Sequence, residues 1–184
     1  MGLDRLPDNL PVPLDDGAAD HLESAEFPEV SFAATNGESV TIRNLAGRVV
    51  LYVYPMTGRP GTPLPDGWDE IPGARGCTPQ SCGFRDHYRE LRELDASVYG
   101  LSVQETEYQR EAKERLHLPF ELLSDADLVL RDLLRLPTFE AAGMELYKRI
   151  TLILRRGTIE KVFYPVFPPD ENADRVLAWL RSQR

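Results

Sequence analysis

Cysteine is scarce in this chain: its 184 residues hold two. That number excludes the disulfide framework that staples small secreted domains. A zinc site of the paired-cysteine kind lacks its second pair, and His21, His87 and His117 are the chain's 3 histidines, so no metal is expected. Positive charge is also short. Lys and Arg number 21 against 30 Asp and Glu, a net charge of −9. With no basic patch to neutralise phosphates or anionic headgroups, neither a nucleic acid nor a membrane surface is an expected partner. Long hydrophobic runs are missing too. The most apolar stretch, Val49–Tyr54, falls far short of the ~20 residues that span a bilayer as a helix. The N-terminus shows no basic stretch followed by an apolar run, so no secretory signal is read and a cytoplasmic address is expected.

What is present suits one soluble domain with a sizeable core, preceded by an arm. Residues 1–28 carry Pro7, Pro11, Pro13, Pro28 and seven carboxylates. Such a segment is expected to lie on the domain or to be partly disordered rather than to form regular structure. The domain itself runs over 29–184. Asn36-Gly37 between 30–33 and 39–42 predicts a hairpin. Val49–Tyr54, apolar throughout, predicts a strand buried on both faces, ended by Pro55. A long loop, 56–76, follows with four prolines and five glycines. Phe84, Tyr88, Leu91 and Leu94 then recur at helical spacing, predicting one helix over 77–94, with Pro79 tolerated only in its first turn. Further along, the pattern predicts strands at 97–103, 120–123, 146–154 and 158–163, and helices at 105–116, 125–133 and 172–181. Strands alternating with helices predict an α/β layered domain, a central mixed sheet covered on both faces.

The two cysteines fall together, in Gly76-Cys77-Thr78-Pro79-Gln80-Ser81-Cys82, at the predicted start of a helix. A sulfur anion there faces unpaired backbone N–H groups and the positive end of the helix dipole, and the thiolate is the nucleophile. In a reducing compartment such a pair is redox-active rather than a static staple.

These residues resemble a known family. Strand 49–54 with Pro55, then Gly76-Cys77-Thr78 and Cys82-Gly83-Phe84-Arg85-Asp86, and later Arg149-Ile150-Thr151-Leu152-Ile153-Leu154, are similar to peroxiredoxins, most of all the peroxiredoxin Q or bacterioferritin comigratory type. The resemblance covers roughly 28–182 in element order. It implies a thioredoxin-like fold with an N-terminal β-hairpin and a thiol peroxidase that reduces hydrogen peroxide and small organic hydroperoxides. Cys77 would attack the peroxide and become a sulfenic acid. Cys82 would condense with it to a disulfide, Arg149 would stabilise the thiolate and polarise the peroxide, and a thioredoxin-like reductant would reset the pair. No cofactor is implied, and the chain itself would be a monomer or weak homodimer.

The chain departs from the family pattern before Cys77. The family's threonine three residues upstream is Ala74 here, and 58–72 reads as an insertion. Either Thr57 folds back to supply the hydroxyl that orients the peroxide, or Pro72 takes the motif proline and the hydroxyl is missing. Two other readings stand beside the peroxidase: a thiol–disulfide oxidoreductase, whose usual Cys-x-x-Cys spacing is narrower than this one, and a peroxide sensor that relays oxidation to a partner without turnover.

Overall fold

The computed structural model describes residues 2–184. Its centre is the strand expected to be buried, β3 (Arg48–Val53). With alternation of period two, Val49, Leu51 and Val53 face one apolar layer, and Val50, Tyr52 and then Tyr54 face the other. A strand covered on both faces has no polar side, which is why its sequence shows no alternation of character.

The hairpin at Asn36-Gly37 forms as β1 (Ser31–Ala34) and β2 (Ser39–Thr41). β4 (Ala96–Ser102) and β5 (Leu122–Ser124) follow, and β6 (Thr138–Ala141), β7 (Met144–Tyr147), β8 (Ile150–Arg155) and β9 (Thr158–Phe163) complete the strands. Seven of them form one sheet in the order β2-β1-β5-β4-β3-β8-β9. β3 runs parallel to β4, and β4 to β5, whereas β8 is antiparallel to β3 and to β9. The sheet is mixed, as expected. Five helices flank it: α1 (Cys77–Asp86), α2 (Tyr88–Glu93), α3 (Thr106–Leu116), α4 (Val129–Leu134) and α5 (Asn172–Ser182). α4 lies on the Leu51 face and the other four on the Tyr52 face. The fold is thioredoxin-like in its layers.

Three boundaries differ from the sequence pattern, each for an identifiable reason. The single helix expected over 77–94 breaks at His87, whose φ and ψ are −98° and 7°. α1 packs on α5 and on the 3-10 turn Pro169–Glu171, while α2 packs on β4, and one straight rod does not reach both. The strand expected over 146–154 is two strands. β7 pairs with β6 in a separate two-stranded sheet and β8 joins the main one. The partner strand β6 escaped notice because its turn, Ala142-Gly143, reaches positive φ (50° and 73°) without an Asn-Gly or Asp-Gly signature. The helix expected from Asp125 starts at Val129. Asp125 stays outside as a cap, its carboxylate accepting from the N–H groups of Val129 (2.8 Å) and Leu130 (3.0 Å) and from the Tyr147 hydroxyl (2.7 Å).

The proline-rich arm has almost no regular structure, yet it lies against the domain. Glu26 bridges to Thr158, and Leu22 and Phe27 are fully buried in the layer around Leu51. Removing a buried phenyl ring leaves a cavity that typically costs about 3–5 kcal/mol. Phe27→Ala is therefore expected to lower the urea midpoint by that equivalent, although the residue precedes the first strand. A loss under about 1 kcal/mol, outside the range for core truncations, would mean that the arm merely decorates the fold.

Candidate active site

Gly76 sets the start of α1. Its φ of 108° is in the left-handed region, and a Cβ there would stand 2.4 Å from Pro169 Cγ and 2.8 Å from Leu6 Cδ2, so only glycine fits. The turn aims Cys77 into the layer between helix and sheet, where it is 3% exposed. Behind it, Tyr52 holds α1 to the sheet. Its ring stacks on Phe84 at 4.6 Å, and its hydroxyl pairs with that of Ser81 at 3.0 Å.

The cation expected beside Cys77 is there. Arg149 precedes β8, the strand next to β3, and its side chain turns inward to 3% exposure. Nη2 donates to Cys77 Sγ at 3.2 Å, to the Ala74 carbonyl at 3.1 Å and to the Arg75 carbonyl at 3.2 Å. Nη1 donates to Gln80 Oε1. Gln80 is fixed in turn, its Nε2 donating to Asn172 Oδ1 at 3.0 Å, and Thr151 donates to the same oxygen at 2.7 Å. A chain of buried polar groups thus runs from the sulfur through Arg149 and Gln80 to the first residue of α5. Asn172 and Gln80 were not singled out from sequence. No spacing rule ties a residue of the last helix to one in the first, and Gln80 reads as filler between the cysteines.

Cys82 lies farther along α1, half-buried, and both thiols are free. Burial pushes the Cys82 thiol above its ordinary pKa; Arg85 opposes the shift and Asp86 adds to it. At neutral pH this sulfur keeps its proton, which suits the second step of an exchange and not the first.

Thr57 does not join this arrangement. Its hydroxyl donates to Gln104 Oε1 at 3.1 Å and its N–H to the same atom at 2.9 Å, while Gln104 Nε2 returns a bond to its carbonyl at 3.1 Å. Its proton is taken by Gln104, and the backbone beside the sulfur is Ala74-Arg75. There Cys77 Sγ lies 3.8 Å from the Ala74 carbonyl. That segment offers carbonyls and no hydroxyl.

Comparison with known proteins gives the family. A family model described as Redoxin covers residues 22–177. The chain belongs to the redoxin family. Its sequence is 28% identical over 161 residues to the chloroplastic peroxiredoxin Q of Suaeda salsa, covering 87% of this chain and 68% of that protein. It is 28% identical over 128 residues to peroxiredoxin bcp1 of Schizosaccharomyces pombe, covering 65% of this chain and 58% of that one. The chain thus spans about two thirds of the plant protein's length. Among solved structures, peroxidoxin BcpB of Mycobacterium tuberculosis superposes with a TM-score of 0.71 at 25% identity, over 89% of this chain and 99% of that one. The kinship with peroxiredoxin Q expected from the cysteine motif stands, and with it the assignment as a peroxidase of this redoxin family. Among the described residues no helix is long and apolar enough to cross a membrane.

The Arg149 contacts generate a prediction. Arg149→Leu removes the donor to Cys77 and strands three buried acceptors, each costing about 1–3 kcal/mol when left unpaired. The second-order rate of Cys77 with peroxide is expected to fall at least tenfold and the unfolding midpoint to drop. Arg149→Lys restores charge without the planar fork and should recover stability more than rate. A stopped-flow rate for Arg149→Leu within twofold of the native protein would remove Arg149 from the site.

Proposed function

We propose that the chain reduces hydroperoxides through Cys77 and Cys82. The observation that carries this is the 3.2 Å contact between Arg149 and Cys77 Sγ at the open start of α1. The thiolate of Cys77 attacks the terminal oxygen of ROOH. The O–O bond breaks, the sulfur becomes a sulfenic acid, and the leaving alkoxide takes up a proton and departs as ROH. Arg149 Nε–H, buried without an acceptor, is the donor left over for the peroxide oxygen as charge moves onto it. Thr57 acts at a distance in this reading, holding the start of the insertion through Gln104.

The sulfur of Cys82 then attacks the sulfenic sulfur, an S–S bond forms and water leaves. A dithiol of the thioredoxin type reduces the disulfide and restores both thiols. A reducing compartment such as the cytoplasm supports this cycle, in a chain acting as a monomer or weak homodimer. The spacing of the two cysteines imposes a rearrangement. Residues five apart in an α-helix have Cα atoms about 8.7 Å apart, given the helical rise and radius, whereas a disulfide tolerates about 6.8 Å at most. α1 must unwind before the sulfurs meet, which also frees Cys82 from the burial that keeps it protonated.

Cys77→Ser should abolish peroxide consumption. Cys82→Ser should consume one equivalent quickly and stop at the sulfenic acid, which mass spectrometry reads as a gain of one oxygen. Peroxide consumption by Cys77→Ser at the native rate would sink the proposal. The same instrument should find Cys77 joined to Cys82 in the native chain after one equivalent of peroxide. Continued turnover with a thioredoxin then separates a peroxidase from a sensor.

The rearrangement has its own measurement. Amide hydrogen exchange across 77–86 is expected to lose protection in the disulfide form. Unchanged protection there would show that the helix does not open.

A further inference from the structure

The sulfur that must meet peroxide is walled in. The cavity that Cys77 lines has a volume of about 10 Å³, at or below the ~10–15 Å³ that one water requires. Its walls include Leu3 from the arm, and Gly58, Leu64 and Trp68 from the segment that the sequence marked as an insertion. A second cavity of about 550 Å³ lies beside it. The two share Leu3, Leu64, Arg75 and Thr78 as walls. The larger one, a cleft open to solvent, is otherwise lined by Gly2 and Asp4, by Arg59–Pro63 of the insertion, and by Arg115 and Leu116 at the end of α3.

Leu3 and Leu64 meet where the two cavities adjoin. A Cβ built on Gly58 would lie 2.7 Å from Leu3 Cδ2 and 3.2 Å from Leu64 Cδ2, so both leucines pack over the bare backbone of Gly58. The stretch carrying Leu3 is lightly held: the Gly2 carbonyl accepts from Arg75 Nη2 at 3.3 Å, and Leu6 rests against Gly76. Two leucine side chains on a lightly tethered strap and a glycine-rich loop can part without disturbing the sheet.

We propose that Leu3 and Leu64 form the gate through which peroxides reach Cys77, and that the larger cavity receives the apolar body of an organic hydroperoxide. This rests on the peroxidase reading and deepens it by naming residues that select the substrate. The cavity volume falls in the ~300–1,000 Å³ range of small-molecule sites. An apolar hydroperoxide that parts the leucines replaces the contacts it breaks, because its own carbon surface leaves water as it enters. Hydrogen peroxide has no such surface and gains nothing from opening an apolar gate. The native chain is thereby biased toward organic hydroperoxides by residues of the arm and insertion, outside the elements that hold Cys77 and Arg149.

Two variants test this, each read as the single-turnover rate of Cys77 oxidation with cumene hydroperoxide and with hydrogen peroxide. Leu3→Ala opens the gate, and the hydrogen peroxide rate is expected to rise at least threefold, more than the cumene hydroperoxide rate. Thr62→Trp, on the exposed loop that walls the larger cavity, fills the space, and the cumene hydroperoxide rate is expected to fall at least fivefold relative to hydrogen peroxide. If the native chain oxidises with both peroxides and the ratio of rates stays within twofold in both variants, the gate is refuted and the peroxidase reading survives. If the native chain oxidises with neither, the peroxidase reading fails and the gate falls with it.

Discussion

A guanidinium withdrawn from water loses strong hydration, and the fold around it must return that hydration as hydrogen bonds. Arg149 is such a group, and much of the site follows from satisfying it. The Ala74 and Arg75 carbonyls turn toward it, which fixes the chain just before α1. Gln80 turns toward it from within α1, and Asn172 and Thr151 hold Gln80 in place. The first turn of α1, the entry to β8 and the first turn of α5 are thereby tied to one planar cation. Cys77 Sγ takes one of its remaining directions. Lysine, a compact point charge with three donors, does not offer the rigid planar fork that links these four acceptors.

In the proposed cycle the same helix must be firm before the peroxide arrives and give way afterward. Firmness comes from Tyr52, stacked on Phe84 and bonded to Ser81, and from the polar chain through Gln80. Yielding is favoured by composition. Gly83 weakens the helix interior, and the backbone breaks at His87. In that cycle opening is confined to the 10 residues of α1, about 2.8 turns at 3.6 residues each, and need not propagate into α2, which packs separately on β4.

Those elements explain what was legible in the sequence. β3 could be read because burial on both faces leaves a continuous apolar run, and the first hairpin because Asn36-Gly37 supplies the positive φ that a tight turn needs. Cys77, Cys82 and Arg149 were legible through a motif, which is information about chemistry rather than periodicity. What stayed hidden is tertiary. The break at His87 reflects two packing partners lying in different directions. The split between β7 and β8 reflects the inward turn of Arg149, which no strand propensity records. Asn172 acts through Gln80, 92 positions away, and pairwise contacts at that separation have no local signature. Gln104, which holds Thr57 through three hydrogen bonds, lies 47 positions away and has no local signature either.

The insertion is best understood through what a peroxidase must exclude. A sulfenic acid exposed to solvent meets a second peroxide before its resolving partner and is carried up the oxidation ladder. Enclosing Cys77 lowers that encounter rate, but it also slows the first encounter, so a closed site needs a selective way in. Trp68 contributes a buried aromatic wall beside Cys77, in a small cluster with Ala74, Ala141 and Leu146. The β6–β7 hairpin that supplies Ala141 and Leu146 lies outside the main sheet, so the insertion rests on an element that shares no ladder with β3, although Tyr147 of β7 packs in the same core layer as Leu51. In the proposed reading the first turn of α1 and the entry to β8 hold the chemistry, and access to it is left to the arm and the insertion.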